Sequence, residues 1–107
     1  MIIHILLEKD QKGNIGRTGF QIHNKNQKHM EAYIPKITSL ATPEQVCNMH
    51  TVMVAMKYCK NNLKRLKFVK FILTDMPLST NTQWKSMNEF VNKIATKIGC
   101  RIEYTKA

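Results

Sequence analysis

The chain reads as one α/β domain built on a mixed sheet, with the element order β-β-β-α-β-α-β. Three observations predict it. Short apolar or alternating runs, separated by glycine and asparagine turns, fill the first third. Two later stretches repeat apolar residues at helical spacing and carry cap signals. Between those stretches lies a short, nearly continuous apolar run of the kind found in buried parallel strands. Strands close in sequence should form an antiparallel meander, and later strands should join through right-handed helical crossovers. The expected product is a five-stranded mixed sheet flanked by helices. The 107 residues fit a single domain spanning 1–107, with no repeat, low-complexity tract or linker.

Residues 2–8 (IIHILLE) form the first expected strand, read as a strand rather than a signal peptide because no basic leader or small-residue cleavage site accompanies it. Residues 9–18 form a loop. Three of the four glycines, Gly13, Gly16 and Gly19, mark this region as a shaped hairpin connection with Glu8 and Asp10 at its mouth. Residues 19–24 form the second strand, and a polar turn from Asn24 to Lys28 follows. His29 to Ile34 alternates as a third strand and stops at Pro35.

Thr42-Pro43-Glu44-Gln45 carries a hydroxyl N-cap, a first-turn proline and a glutamine three residues after the cap. A helix should run from Pro43 to about Lys60, with Val46, Met49, Met53 and Met56 as its apolar stripe. Leu66 to Leu73 is the central strand, ending at Thr74-Asp75. Met76 to Asn81 is a loop. Trp84, Met87, Val91, Ile94 and Ile98 then repeat at helical spacing, with Gly99 at the C-terminal cap position and Trp84 heading the core stripe. Cys100 to Thr105 is the last strand.

Composition narrows the functional classes. Seventeen Lys and Arg oppose seven acids, for a formal charge of +10. Such an excess favours a polyanionic partner, nucleic acid first and an anionic membrane surface second. No apolar run approaches the ~20 residues needed to span a bilayer. The cysteines, Cys47, Cys59 and Cys100, lack paired spacing, so a disulfide framework is not expected and a zinc site with His50 is weakly supported. Reduced thiols suit an intracellular protein, cytoplasmic or in an organellar matrix.

The glycine region and the central strand together resemble type I ribonuclease H. Members of that family follow a first-strand metal-binding Asp with a G-N-x-G-x-x-G-aromatic loop. Gly13-Asn14, Gly16 and Gly19-Phe20 match it without a gap. The family's apolar strand ending in Thr-Asp is similar to Phe71-Ile72-Leu73-Thr74-Asp75, and Ile102 to Lys106 is similar to its fifth strand. The resemblance implies a ribonuclease H-like fold and places the family's acids on Glu8 and Asp75, the expected metal ligands. The family's helix glutamate falls on Asn48, while Glu44 stands one turn earlier on the same helical face. The family's last acid, its histidine loop and its final helix would come after Ala107.

Two-metal phosphodiester hydrolysis needs carboxylates bridging ions ~4 Å apart. Glu8, Asp75 and Glu44 are therefore the candidate catalytic residues, with Mg²⁺ or Mn²⁺ as the cofactor of an active enzyme. Asn48 is a poor ligand for a hard cation, so a reduced or lost metal site is expected. Asp10 offers an alternative first-strand ligand, though its place before Gly13 better suits a turn aspartate. For nucleic acid, Asn14, Arg17 and Thr18 in the glycine loop, with Lys57, Lys60, Lys64 and Arg65 around the end of the first helix, could track phosphates. Lys67, Lys70, Lys85, Lys93 and Lys97 extend this basic set.

The leading expectation is a nucleic-acid-binding ribonuclease H-like domain whose partner is RNA or an RNA–DNA hybrid. The alternatives are an active minimal ribonuclease H, completed by a homodimer or a protein partner; an RNA-bound subunit of a ribonucleoprotein; and a protein-binding module facing an acidic partner.

Overall fold

The computed structural model describes residues 1–32, 41–63 and 65–107. Its elements are β1 (Ile2–Lys9), β2 (Ile15–Ile22), β3 (Lys28–Ala32), α1 (Pro43–Asn62), β4 (Phe68–Leu73), α2 (Thr82–Ile98) and β5 (Arg101–Lys106). The expected order and the five-stranded mixed sheet are both present. Tyr33 to Pro35, where the third strand was expected to end, lie outside the described residues, as does Lys64.

The sheet order is β3-β2-β1-β4-β5. β1 pairs antiparallel with β2, and β2 antiparallel with β3. β4 runs parallel to both β1 and β5. Passing from β3 through α1 to β4, and from β4 through α2 to β5, the chain crosses the sheet in the same direction. Crossovers of one hand then put both helices on one face.

The side-chain register agrees. Thr18 on β2 meets Thr51 on α1, with the two Oγ1 atoms 2.6 Å apart. Phe71 on β4 stacks on Tyr104 of β5, which meets Trp84 of α2 edge to face at 4.8 Å. Ile3 sits opposite Phe71, and Leu7 opposite Thr18, so these residues share one face.

The core lies between that face and the helices. It contains Ile3, Ile5, Phe20, Val69, Phe71 and Leu73 from the sheet, Met49, Val52, Met56 and Cys59 from α1, and Trp84, Met87, Val91 and Ile94 from α2. Trp84 is a core residue, as its place in the stripe predicts. Tyr104 anchors α2 by donating its hydroxyl to Asn88 Oδ1 at 3.1 Å.

Both helix starts follow from local chemistry. Thr42 accepts from the Gln45 amide at 3.2 Å, and the Gln45 side chain accepts from the Thr42 amide at 3.1 Å, a closed capping box. Asn81 caps α2 by accepting from the Trp84 amide at 3.0 Å. Gly99 ends α2 at φ 68°, a left-handed cap that an L-residue would strain to adopt.

Two expectations need correction. The glycine loop is shorter than 9–18, because β2 begins at Ile15 and leaves Gly16 inside a strand. A register shift between Glu8 and Lys9 lets the pairing continue as far as Ile15. The apolar stripe of α1 is also rotated. Met49, Val52, Met56 and Cys59 are buried, whereas Val46 and Met53 are only half-buried. Among the described residues, no helix is long and apolar enough to cross a membrane.

Candidate functional site

Charged chemistry concentrates in two places: the end of the sheet where β1 and β4 finish, and the groove between the helices.

At the first place the strand ends are neighbours, as the sequence predicts, since β1 and β4 are adjacent and parallel. Glu8 nevertheless turns away from the helices. It pairs across the strands with Arg17, one position beyond the Leu7–Thr18 pair that faces α1. The Glu8 carboxylate lies 3.5 Å from the Arg17 guanidinium, with both side chains about half exposed at 53%. Such a solvated pair contributes little to stability.

The face toward α1 is occupied by Lys9, whose Nζ sits 2.9 Å from Glu44 Oε1. The Lys9 ammonium holds the Glu44 carboxyl below its ordinary range, with partial burial opposing and Thr74 and Lys106 assisting. Asn48, at the position the resemblance gives to a glutamate, is fully buried. Its Nδ2 donates to Thr74 Oγ1 and to the Glu44 carbonyl, each at 2.8 Å, while its Oδ1 accepts the Thr74 amide at 2.9 Å. Asp75 follows half-buried, just past this clasp.

The structure thus gathers Lys9, Asn48 and Thr74 around Glu44 and leaves Glu8 on the opposite face. Among the described residues no cluster of three or more His, Cys, Asp or Glu side chains could hold a metal ion. That extends to Cys47 and His50, and Cys47 and Cys59 are buried thiols. Burial pushes both thiols up to about 11.

The hairpin mouth is built by Asp10. Its Oδ1 accepts the Lys12 amide at 2.8 Å and the Asn14 amide at 2.9 Å, and Gly13 takes φ 82° within this turn. Asp10 is a turn residue, as its position before Gly13 predicts. Asn14 and Arg17 are exposed, and Arg17 is shared with Glu8. Thr18 is not available to a phosphate. It is fully buried, its hydroxyl engaged with Thr51 and the Leu6 carbonyl, because strand alternation directs it into the core.

The second place is a groove running between α1 and α2. Its C-terminal half is a hollow of about 440 Å³ whose rim carries Lys57 and Lys60 from α1 and Lys93 and Lys97 from α2, with Phe90 and Ile94 in its walls. Lys57 Nζ stands over the Phe90 ring, 5.4 Å from its centroid. All four lysines are exposed. The ion pairs among the described residues involve Lys9, Arg17 and His50, and none of these four. Glu89 shares a shallow hollow on α2 with Lys93 and Lys97.

No protein-family model matches the chain, and no curated protein matches it either.

Lys57 and Lys60, expected from sequence to meet phosphates, are therefore brought together with Lys93 and Lys97, which sequence placed only on a second basic helix. Arg65 lies exposed beyond α1 at φ 64°. The N-terminal half of the groove is a further hollow of about 410 Å³, with Val46, Met49, Met53, Met87 and Phe90 among its walls. Sequence reasoning assigned Val46 and Met53 to the core and missed this hollow. The available signal was an apolar arc on α1 wider than one stripe needs.

Proposed function

We propose that this chain is a nucleic-acid-binding domain of ribonuclease H-like type with a reduced metal site. The observation that carries the proposal is the groove rimmed by Lys57, Lys60, Lys93 and Lys97, four exposed ammonium groups on two parallel helices in a chain of formal charge +10. Fixed cations on a rigid scaffold neutralise phosphates and release counterions, which supplies sequence-independent affinity. Asn14 and Arg17, at the hairpin end, offer further phosphate contacts.

The strand order, with β1 and β4 central and parallel, supports the ribonuclease H-like reading. The donor set does not fit a two-ion centre. Glu44 is held by Lys9, Asn48 spends its amide on Thr74 and the Glu44 carbonyl, and Glu8 faces away with Arg17. That geometry favours binding without hydrolysis as the reading, and no step through Mg²⁺ or Mn²⁺ is assigned.

The test is polynucleotide binding as a function of salt. Affinity should fall steeply between low and physiological ionic strength. Replacing Lys57, Lys60, Lys93 and Lys97 together by Gln should flatten that slope by about three units, since each phosphate neutralised contributes ~0.7–0.9 to it. Binding that ignores both salt and these substitutions would remove the proposal. A labelled RNA–DNA hybrid incubated with Mg²⁺ should remain uncut, and cleavage abolished by Asp75→Asn would restore the enzyme reading.

A further inference from the structure

The groove has two chemically different halves that share one wall. Phe90 lines the lysine-rimmed half and also the hollow beside it. In that hollow the side chains of Met53 and Val46 are half-buried rather than packed in the core. Its rim carries hydroxyls from Thr82 and Ser86, at the start of α2. Met53 and Lys57 are four residues apart on α1, so the hollow and the first lysine stand about one helical turn, ~5–6 Å, from each other.

We infer that this chain prefers single-stranded nucleic acid and takes one unstacked base into the methionine-walled hollow while the flanking phosphates lie along the lysines. The inference rests on the nucleic-acid reading above and adds the form of the ligand. A volume of about 410 Å³ is ample for a nucleobase. Flexible, polarisable thioethers pack against a flat π-face without demanding one shape, so any base is accepted. Hydroxyls at the rim meet the polar edge of the base. A duplex keeps its bases stacked inside and could meet only the lysines, leaving the apolar walls in water. Single strands supply both a backbone for the cations and a π-face for the walls. The same two-part groove would also suit an acidic amphipathic helix, and the test separates the two occupants.

The experiment uses the full chain and a single-stranded oligonucleotide of about 12 residues, a length within the site sizes of single-strand binders. It carries one central 2-aminopurine and is compared with the same strand annealed to its complement. The single strand should bind about tenfold more tightly than the duplex, with a change in 2-aminopurine emission on binding; one base–protein stacking contact is worth that much. The double variant Thr82→Leu/Ser86→Leu fills the hollow from two exposed helix positions and adds no π-face on which a base could stack. It should remove the emission change and the single-strand preference while duplex affinity stays unchanged, with an unaltered thermal midpoint confirming the fold. Equal binding of both forms, unaffected by Thr82→Leu/Ser86→Leu but weakened by the lysine substitutions, would overturn the base site and leave the nucleic-acid reading standing. Salt-independent or absent binding of both forms would overturn both and pass the groove to the acidic helix.

Discussion

Asn48 on α1 and Thr74 at the end of β4 are joined by a reciprocal pair of hydrogen bonds, Nδ2 to Oγ1 at 2.8 Å and amide to Oδ1 at 2.9 Å. This buried clasp fixes where β4 stops and where the first turns of α1 sit against it. Asn48→Ala leaves the Thr74 amide without its acceptor at a partly buried strand end. It should cost about 2 kcal/mol, lowering the thermal midpoint by about 10 °C for a domain of this size. Asn48→Glu should cost more, because a carboxylate there would be buried beside the Glu44 carbonyl. Calorimetry of the two variants checks both, and wild-type midpoints would contradict the clasp.

The Lys9–Glu44 pair predicts a small acid sensitivity. The folded-state pKa of Glu44 is depressed, mainly by Lys9. Its stabilisation is therefore present above the unfolded value, near 4.3, and is lost as pH falls through the folded value. Lys9 is about half exposed at 49%, so solvent screening keeps the effect below about 1 kcal/mol. Urea denaturation of wild type and Glu44→Gln should show a stability gap at pH 7 that narrows as pH falls below the unfolded value. A gap that widens with acid would reverse the assignment.

Three glycines in the hairpin region should behave differently when changed to alanine. Around Gly16 nothing lies within 4 Å of an added Cβ, so Gly16→Ala should be neutral or slightly stabilising. Gly13 holds φ 82°, and Gly13→Ala should cost about 1–2 kcal/mol through backbone strain. A Cβ at Gly19 would collide with the His29 carbonyl and the Met30 sulfur on β3, so Gly19→Ala must spread the β2–β3 pair. It should be the most destabilising of the three, by about 3 kcal/mol. The order of their denaturation midpoints is the observable.

The thiols should separate by accessibility. Cys47 and Cys59 are buried with pKa values raised to about 11, while Cys100 is partly exposed. At neutral pH a disulfide reagent should label Cys100 first, and should reach Cys47 and Cys59 only after denaturant is added. Rapid labelling of all three in the native protein would mean that the core between α1 and the sheet opens readily.

The sequence by itself determined the element order, the start of α1, the central parallel strand and the core role of Trp84. These depend on period and on contacts within a few residues: a capping box, a left-handed glycine cap, apolar residues every third or fourth position. Tertiary structure decided where the functional side chains point. Glu8 faces away from α1 and Thr18 toward it because β1 and β2 pair in one register, and a slip of one residue would exchange them. Asn48 read as an amide on a helix face, yet packing against the end of β4 made it a buried clasp. Lys57 and Lys60 lie more than thirty positions before Lys93 and Lys97 in the chain. Only the crossovers that bring α1 beside α2 turn the two pairs into one cationic groove, and only that packing displaces Val46 and Met53 from the core to its wall.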